Sequence, residues 1–395
     1  MISYQHYIRQ ASATEFDVYA SKGLLKRLDI ELTERCNNSC RHCYINLPEN
    51  DAEALKEELT TDQWKNILQQ AADLGVLTVR FTGGEPLIRR DFSELYMFAR
   101  RLGMKVMLST NGRGITPKIA KLFASVPPLE AVEITVYGMR PESYDAVACA
   151  PGAYAEFRQG VELLLKHKVR FTVKGVLLPQ NMSEIDEFES WAATLTREEI
   201  PPSITLLLEM RCRHNSSQQN KRIQDLRMSP EDVVKTISRH KEIYIKETER
   251  FIERFLGPKG DELFCCGAGK AISIDAYGRI QPCLMMRDQS LVLDSRCYKL
   301  HEALEAFPEM LKQKRATNPN YLNRCSRCFL NGLCEQCPAK SWSEHRTLDT
   351  PVEYLCKVAH AQAYDLGLLE DGEYGWDIQD WRERIDTYLE KEKPK

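Results

Sequence analysis

The stretch LKRLDIELTERCNNSCRHCY, residues 25–44, joins a β-type run to three closely spaced cysteines. Residues 25–33 are rich in Leu and Ile at alternating positions and predict a strand. Cys36, Cys40 and Cys43 follow, with three and then two residues between them. Three thiolates on one loop can hold three irons of a [4Fe-4S] cube and leave the fourth iron without a protein ligand. The residues alone also allow a zinc loop or three buried thiols.

Five further β-rich runs follow the first one, with helical segments between them. They cover residues 77–84, 105–112, 130–138, 169–178 and 203–210. Repeated β-α units predict a parallel sheet with helices outside it. Six units are too few for a closed eight-stranded barrel. The expected fold is therefore α/β, a partial (β/α)6 TIM-like barrel with ligand sites at the carboxyl ends of its strands.

Capping residues mark several helix starts. Thr116 precedes Pro117, Ser183 precedes an acidic helical run, and Ser229 precedes Pro230. The last of these predicts one helix that reaches Gly257-Pro258. Residues 211–221 are polar and predict a loop, and residues 271–283 predict a hairpin that turns at Tyr277-Gly278.

The predicted organisation has five parts. They are an N-terminal extension (1–24), the partial barrel (25–211), a helical bridge (212–261), a small cysteine-rich domain (262–360) and a C-terminal helical tail (361–395). The cysteine-rich domain is expected to have little room for an apolar core, so bound metal would hold it together. The last part of the tail, residues 383–395, is charged and is expected to be solvated.

Composition and charge exclude several classes of protein. The chain has 54 basic and 57 acidic residues and a net charge of −3, which gives no whole-chain case for binding nucleic acid or a membrane surface. No apolar run is long enough for a membrane span, and the first residues lack a secretory pattern. Fourteen cysteines without an export signal favour metal or redox chemistry over disulfides, and a cytoplasmic location.

Two turns follow the second and third predicted strands. The first reads Gly83-Gly84-Glu85 and offers backbone groups for close approach and a carboxylate that can accept from an ammonium group. The second contains Ser109 and Asn111, short polar residues able to bind ribose hydroxyls. Gly-Gly and Asn-Gly pairs are also common in ordinary turns.

The cysteine triplet, the GGE turn and the STN turn occur in the order found in radical S-adenosylmethionine (SAM) enzymes, which the chain resembles over roughly residues 25–210. The resemblance implies a catalytic [4Fe-4S] cluster whose open iron chelates SAM, and a 5′-deoxyadenosyl radical that abstracts hydrogen. His42 stands where the family usually has an aromatic or apolar residue, and we expect it to pack rather than ligate. The implied residues are Cys36, Cys40 and Cys43 for the cluster, Gly83, Gly84 and Glu85 for the amino group of SAM, and Ser109 and Asn111 for its ribose.

A second group of cysteines lies near the C-terminus. The spacing Cys325-x2-Cys328-x5-Cys334-x2-Cys337 resembles the SPASM extension, which houses two auxiliary Fe-S clusters, over about residues 262–360. The resemblance implies a distal cluster on Cys325, Cys328, Cys334 and Cys356, and a proximal one on Cys265 or Cys266, Cys283 and Cys337. Adjacent Cys265-Cys266 departs from the family pattern, so the proximal cluster is expected to keep an open iron. Two zinc sites are the alternative.

The SPASM resemblance implies a peptide or protein substrate, matured by a thioether or C–C crosslink or by epimerisation. A free thiol such as Cys149 or Cys212 is the candidate hydrogen donor for epimerisation; otherwise these residues and Cys297 are read as small buried hydrophobes. The resemblance also implies an electron donor such as flavodoxin or ferredoxin. A separate leader-binding protein is expected, because only about 25 residues precede the first strand.

Three alternative functions stay open. One is modification of a tetrapyrrole, as in haem-forming relatives of similar size. Another is anaerobic sulfatase maturation, although those enzymes have an acidic residue where this chain has Leu284. The third, from a different class, is a non-catalytic zinc-binding protein.

Overall fold

A computed structural model describes residues 27–195, 201–211, 217–255, 257–264, 266, 268–269 and 271–391. The described chain divides into two units. Unit 1 lies within Met1–Arg227 and Ala268–Pro308, and unit 2 within Met228–Gly267 and Glu309–Lys395. No helix of the described residues is long and apolar enough to cross a membrane.

The main sheet of unit 1 has nine strands among the described residues. Its strand order is β9-β8-β7-β1-β2-β3-β4-β5-β6. Strands β1 to β6 are parallel neighbours in chain order, which confirms the six predicted strands and the α/β class. The strands are β1 Arg27–Thr33, β2 Thr78–Gly83, β3 Lys105–Thr110, β4 Leu129–Val136, β5 Thr172–Val176, β6 Ser203–Thr205, β7 Ile272–Ile274, β8 Arg279–Gln281 and β9 Leu293–Asp294.

The predicted hairpin is present, and it extends the barrel sheet. Strands β7 and β8 pair antiparallel, and Gly278 between them has a φ of +82°, which glycine adopts without strain. Strand β7 also pairs in parallel with β1, with Leu28 opposite Ile272. The hairpin thus lies in unit 1, although the sequence analysis placed it in the cysteine-rich domain.

Helices flank the strands in unit 1 and make up most of unit 2. The cap of Thr116 is confirmed, since its hydroxyl accepts from the N–H of Ile119 at 3.3 Å, and so is that of Ser229. Ser183 lies instead in a 3-10 turn, Met182–Glu184, ahead of its helix. The helices are α1 Ala52–Glu57, α2 Thr61–Asp73, α3 Phe92–Arg101, α4 Pro117–Ser125, α5 Pro141–Ala148, α6 Ala153–Lys166, α7 Ile185–Leu195, α8 Ser217–Asp225, α9 Pro230–Ile237, α10 Lys241–Phe255, α11 Leu300–Lys312, α12 Pro338–His345, α13 Glu353–Asp365 and α14 Trp381–Lys391.

Two local predictions were wrong. The single helix expected from Ser229 to Gly257 is interrupted between α9 and α10. The polar run at residues 211–221 was expected to be a loop, but its last part begins helix α8, whose Ile223 is buried. Ile223 is a single buried apolar residue in an otherwise polar segment, so the composition did not indicate this helix.

Unit 2 has an apolar core, contrary to the expectation that metal alone would hold it together. Phe329 and Leu330 are fully buried there beside Ala363 of α13. The tail was also expected to be solvated, but Ile385 and Tyr388 of α14 are buried in the same cluster. The core was missed because its members come from segments far apart in the chain.

Candidate active site

A buried ion network fixes the start of the cysteine loop. Arg35 directly precedes Cys36, and its Nε and Nη2 donate to the two carboxylate oxygens of Glu58 at 2.8 and 3.1 Å. Arg89 donates to Glu58 at 3.2 Å and to the carbonyl of Leu32, at the end of β1, at 3.1 Å. Because Glu58 compensates two buried guanidinium groups, the chain is held rigidly where it leaves the sheet.

The rest of the loop is tied to other parts of the barrel edge. The N–H of Ser39 donates to the carbonyl of Ala148, the last residue of α5, at 2.9 Å. Arg211, beyond β6, donates to the carbonyl of Cys43 at 3.3 Å and to Asn46 Oδ1 at 2.8 Å. The cysteine loop therefore lies at the carboxyl ends of the strands, where parallel sheets bind their ligands.

The three thiols of the loop lie close to one another. Cys40 is buried, and Cys36 and Cys43 are partly buried. Burial raises the pKa of all three thiols, and neighbouring thiols of the triplet raise those of Cys36 and Cys40 further. Backbone N–H groups of Asn38 and Asn46 donate to the sulfurs of Cys36 and Cys43, each at 3.4 Å.

The three thiols and the N–H groups that donate to them fit an iron-sulfur cluster. Such a cluster is held by thiolates, and hydrogen bonds to its sulfur ligands tune its reduction potential. Among the described residues, no three His, Cys, Asp or Glu side chains converge on a point that could hold a single metal ion. A cube of four irons takes one thiolate per iron and does not need such convergence. Binding iron would remove the thiol protons that burial now retains.

Two rings lie against the triplet. The rings of His42 and Tyr137 have centroids 5.7 Å apart. Burial lowers the pKa of His42 to about 4, so the imidazole is neutral at pH 7 and packs as expected. A hydrogen bond from Tyr137 partly offsets the raised pKa of Cys40. The sequence analysis missed Tyr137, and its position just after β4, at the ligand-binding edge, was the available signal.

The GGE turn lies directly against the end of β1. A Cβ at Gly83 would lie 2.2 Å from the carbonyl oxygen of Thr33, and one at Gly84 would lie 2.2 Å from that of Arg35. The N–H of Gly84 donates to Thr33 O at 2.7 Å. Only glycine permits this approach. A contact of Gly83, Gly84 and Glu85 with the amino group of SAM stays a prediction.

Glu85 joins the GGE turn to the STN turn. It is fully buried, which raises its pKa. Its carboxylate accepts from Thr110 Oγ1 and from the N–H of Asn111, both at 2.8 Å. Asn111 Nδ2 in turn donates to Asn37 Oδ1 in the cysteine loop at 2.7 Å. The predicted residues after strands one, two and three thus form one hydrogen-bonded assembly.

Charged residues inside the sheet were missed by the sequence analysis. Lys174 of β5 pairs with Glu133 of β4 at 2.5 Å, and Ser109 donates to the same Glu133 oxygen at 3.3 Å. Arg287 binds Glu31 of β1 at 2.6 Å. All are buried or nearly so. The signal for Glu31 was a charge at every second position of β1, Arg27–Thr33, which puts these charges on one face. Contact of Ser109 and Asn111 with ribose stays a prediction.

The predicted distal ligands are brought together in unit 2. Burial, with a smaller contribution from the thiol of Cys356, raises the pKa of Cys325 to about 11 and that of Cys328 to about 12. Cys334 is affected in the same way, by burial and then by Cys356. The Sγ of Cys356 lies 3.5 Å from Arg324 Nη2 and 3.7 Å from His360 Nδ1. Four thiols therefore share one neighbourhood, and that they bind a distal cluster, as the resemblance implies, stays a prediction.

A segment beyond the predicted cysteine-rich domain covers this group. A Cβ at Gly375 would lie 2.8 Å from the sulfur of Cys328. The N–H of Gly375 donates to His360 Nε2 at 3.1 Å, and Trp376 packs 5.2 Å from the His360 ring. Sequence reasoning missed these residues because it assigned residues 361–395 to a tail.

The remaining cysteines differ in how far they are exposed to solvent. Cys266 is exposed, and Cys283 and Cys337 are partly buried. Cys265 and Cys212 lie outside the described residues, so the proximal ligand set stays a prediction. Cys149 and Cys297 are exposed, contrary to their reading as buried hydrophobes. Cys149 ends α5 with a φ of +48° and raises the pKa of Cys40, so it lies near the triplet.

The sequence is similar to known proteins over less than half of its length. It is 35% identical to the PqqA peptide cyclase of Rhizobium meliloti (strain 1021) over 170 residues, which are 43% of this chain and 44% of that protein. It is 30% identical to the AdoMet-dependent heme synthase of Methanosarcina barkeri (strain Fusaro / DSM 804) over 155 residues, 39% of this chain and 43% of that protein. The chain thus matches less than half the length of these curated relatives.

The fold is similar to a solved structure over nearly all of the chain. The structure of anSMEcpe with bound AdoMet, which is SAM, has a TM-score of 0.60 at 15% identity and covers 93% of this chain and 100% of that one. At this identity the likeness shows the fold, a partial barrel with a further unit. Residues 30–192, which include the cysteine loop and both turns, match the Radical SAM superfamily. This stretch of the chain is a radical SAM domain.

Proposed function

We propose that the chain is a radical SAM enzyme that removes hydrogen from a peptide substrate and so matures a ribosomally made peptide. The observation that carries this proposal is the close triplet of Cys36, Cys40 and Cys43 at the carboxyl ends of the strands, within a stretch that matches the Radical SAM superfamily. When bound, a [4Fe-4S] cluster with an open iron supplies one-electron cleavage of SAM to methionine and a 5′-deoxyadenosyl radical. A cytoplasmic setting, which keeps thiols reduced, suits these centres.

The chain's own residues hold and shield this chemistry. Glu58 and Arg211 fix the two ends of the cysteine loop. Glu85 orients the STN turn, which supports the proposal that Ser109 and Asn111 bind the ribose of SAM. Tyr137 and His42 cover the triplet with aromatic surface. Such packing limits water at a site where a reactive carbon radical would otherwise be quenched.

A peptide is the preferred substrate because the curated relative at 35% identity is a peptide cyclase. Cys325, Cys328, Cys334 and Cys356 would bind one auxiliary cluster, and Cys283 and Cys337 with Cys265 or Cys266 a second. These clusters suit the removal of a second electron after hydrogen abstraction, as a crosslink requires. A flavodoxin or ferredoxin is proposed as the external electron donor, and a separate protein as the binder of the peptide leader.

A tetrapyrrole is the second candidate substrate, favoured by the 30% identity to a heme synthase. Anaerobic co-expression with short precursor peptides encoded near the gene separates the two. The peptide proposal predicts a precursor lighter by two hydrogens for a crosslink, or one that gains deuterium in D2O for an epimerised residue. Unmodified precursors, together with conversion of a supplied porphyrin precursor, would instead establish the tetrapyrrole reaction.

A further inference from the structure

Arg324 is held against the cysteine group of unit 2 from three sides. Its Nη2 lies 3.5 Å from the sulfur of Cys356. Its Nη1 and Nη2 bond the two carboxylate oxygens of Glu353 at 2.7 and 3.0 Å. Its guanidinium carbon lies 4.8 Å from the ring centre of Trp376. A carboxylate and a ring face together fix the direction in which this cation points, which is toward the thiol.

Other groups near Cys356 do not offer the same contact. His360 Nε2 accepts from the N–H of Gly375, so its proton sits on Nδ1, which lies 2.8 Å from the carbonyl of Cys356, and the imidazole is neutral. Lys259 and Lys357 act on these thiols through space. Arg324 combines a formal positive charge with a hydrogen bond to the sulfur.

The charge state of a cluster decides what such a contact does. Adding an electron to an Fe-S cluster makes it more negative, so a nearby cation stabilises the reduced form more than the oxidised form. A hydrogen bond to a ligand sulfur acts in the same direction. Both effects raise the reduction potential. Glu353 opposes them, since it partly neutralises Arg324.

We propose that Arg324 is a positioning residue that raises the reduction potential of an auxiliary Fe-S cluster bound by Cys325, Cys328, Cys334 and Cys356, and that Glu353 moderates the effect. The inference rests on the proposed function for the presence of that cluster. It assigns a specific role to an ion pair that would otherwise be an ordinary surface salt bridge of little energetic weight.

The test is a potentiometric EPR titration of the full-length, anaerobically reconstituted protein. The signal followed is the one that disappears in Cys328→Ala. Arg324→Gln is expected to lower the midpoint potential of that signal, and Glu353→Gln to raise it. Arg324→Lys, which keeps the charge, is expected to lie between Arg324→Gln and the unchanged protein. Iron content is measured for each variant.

Arg384→Gln is the matched control. Arg384 forms the same two-pronged ion pair in unit 2 with Glu373, at 2.5 and 3.0 Å, and its replacement should leave the midpoint potential unchanged. Shifts of Arg324→Gln and Glu353→Gln in the same direction, or no shift, would overturn the inference and leave the proposed function intact. If Arg324→Gln fails to retain iron, the midpoint potential of Glu353→Gln alone tests the inference. If Cys328→Ala leaves the EPR spectrum unaltered, no cluster is bound by this group of cysteines, and the premise taken from the proposed function fails.

Discussion

Glu58 shows how much of the site depends on one buried side chain. It lies outside every sequence motif, yet it accepts from both Arg35 and Arg89 next to the cysteine loop. Its side chain is 3% exposed. Removing one charge from a buried network leaves the others uncompensated, which costs far more than the pair contributes at a surface. The loop geometry therefore depends on a residue that no spacing pattern singles out.

We predict that Glu58→Gln destabilises the protein by about 3 kcal/mol, because buried Arg35 loses its carboxylate partner and buried Arg89 keeps only Asp91. Iron bound at the triplet should fall with it. Urea unfolding and iron analysis measure the two effects.

Glu94→Gln is the control for this variant. Glu94 forms an exposed ion pair with Lys65 at 2.5 Å in the same unit, and its loss should cost less than about 1 kcal/mol. Equal costs for the two variants would mean that the Glu58 network does not brace the loop.

The turn after β2 shows why the Gly-Gly-Glu motif is needed to hold neighbouring strand ends together. Gly83 and Gly84 let this turn touch the end of β1, so that the carboxyl ends of two neighbouring strands close on each other. Glu85 then bonds the turn after β3. Three adjacent strand ends are thereby locked in one arrangement, and the polar groups predicted to face SAM gain fixed positions.

Replacing Gly84 by Ala is expected to destabilise unit 1 by about 3 kcal/mol, since the new Cβ would overlap the carbonyl oxygens of Arg35 and Glu34 at 2.2 and 2.6 Å. Gly75→Ala is the comparison. Gly75 has a φ of +77° and nothing within 4 Å of its added Cβ, so only the backbone cost of about 1 kcal/mol applies. Chemical denaturation of both variants measures the difference, and a Gly84 variant as stable as the Gly75 variant would contradict the close approach.

Strand content and order could be predicted because each strand is a local apolar run bounded by turn residues. Their parallel pairing followed from the β-α alternation. The attachment of β7 to β1 could not be predicted, because residues 28 and 272 are brought together by tertiary packing alone. The ion pairs inside the sheet were equally hidden, since a sequence does not show which strand's charge meets which.

At the scale of the whole molecule, two groups of thiols lie in two separate units. Cys36, Cys40 and Cys43 are in unit 1, and the four cysteines around Cys356 are in unit 2. Cys36, Cys40 and Cys43, and Cys325, Cys328 and Cys334, could be singled out because their spacing is local, whereas Cys356 was added through the family resemblance; their role as ligands stays a prediction. Their surroundings could not be predicted, because Tyr137 and Gly375 carry no motif and reach the thiols only through the fold.

Because the two groups of thiols lie in different units, mutations in unit 2 are expected to affect a different step of the reaction from mutations in unit 1. Cys325→Ala or Cys334→Ala should leave SAM cleavage partly intact and stop formation of the modified peptide, because the proposed auxiliary cluster would act after hydrogen abstraction. Deoxyadenosine and peptide product are quantified in the same reaction. Loss of deoxyadenosine to the level of a Cys40→Ala variant would show that unit 2 is needed for the first step.

The most direct measurement is the amount of 5′-deoxyadenosine released from SAM by the anaerobically reconstituted protein with dithionite. The unchanged protein and Cys297→Ala, which removes an exposed cysteine outside both groups, are expected to produce it. Cys36→Ala, Cys40→Ala and Cys43→Ala are expected to produce none, because each removes one of the three proposed iron ligands. Deoxyadenosine from the triplet variants, or none from the fully loaded unchanged protein, would contradict the assignment of this loop as a radical SAM site.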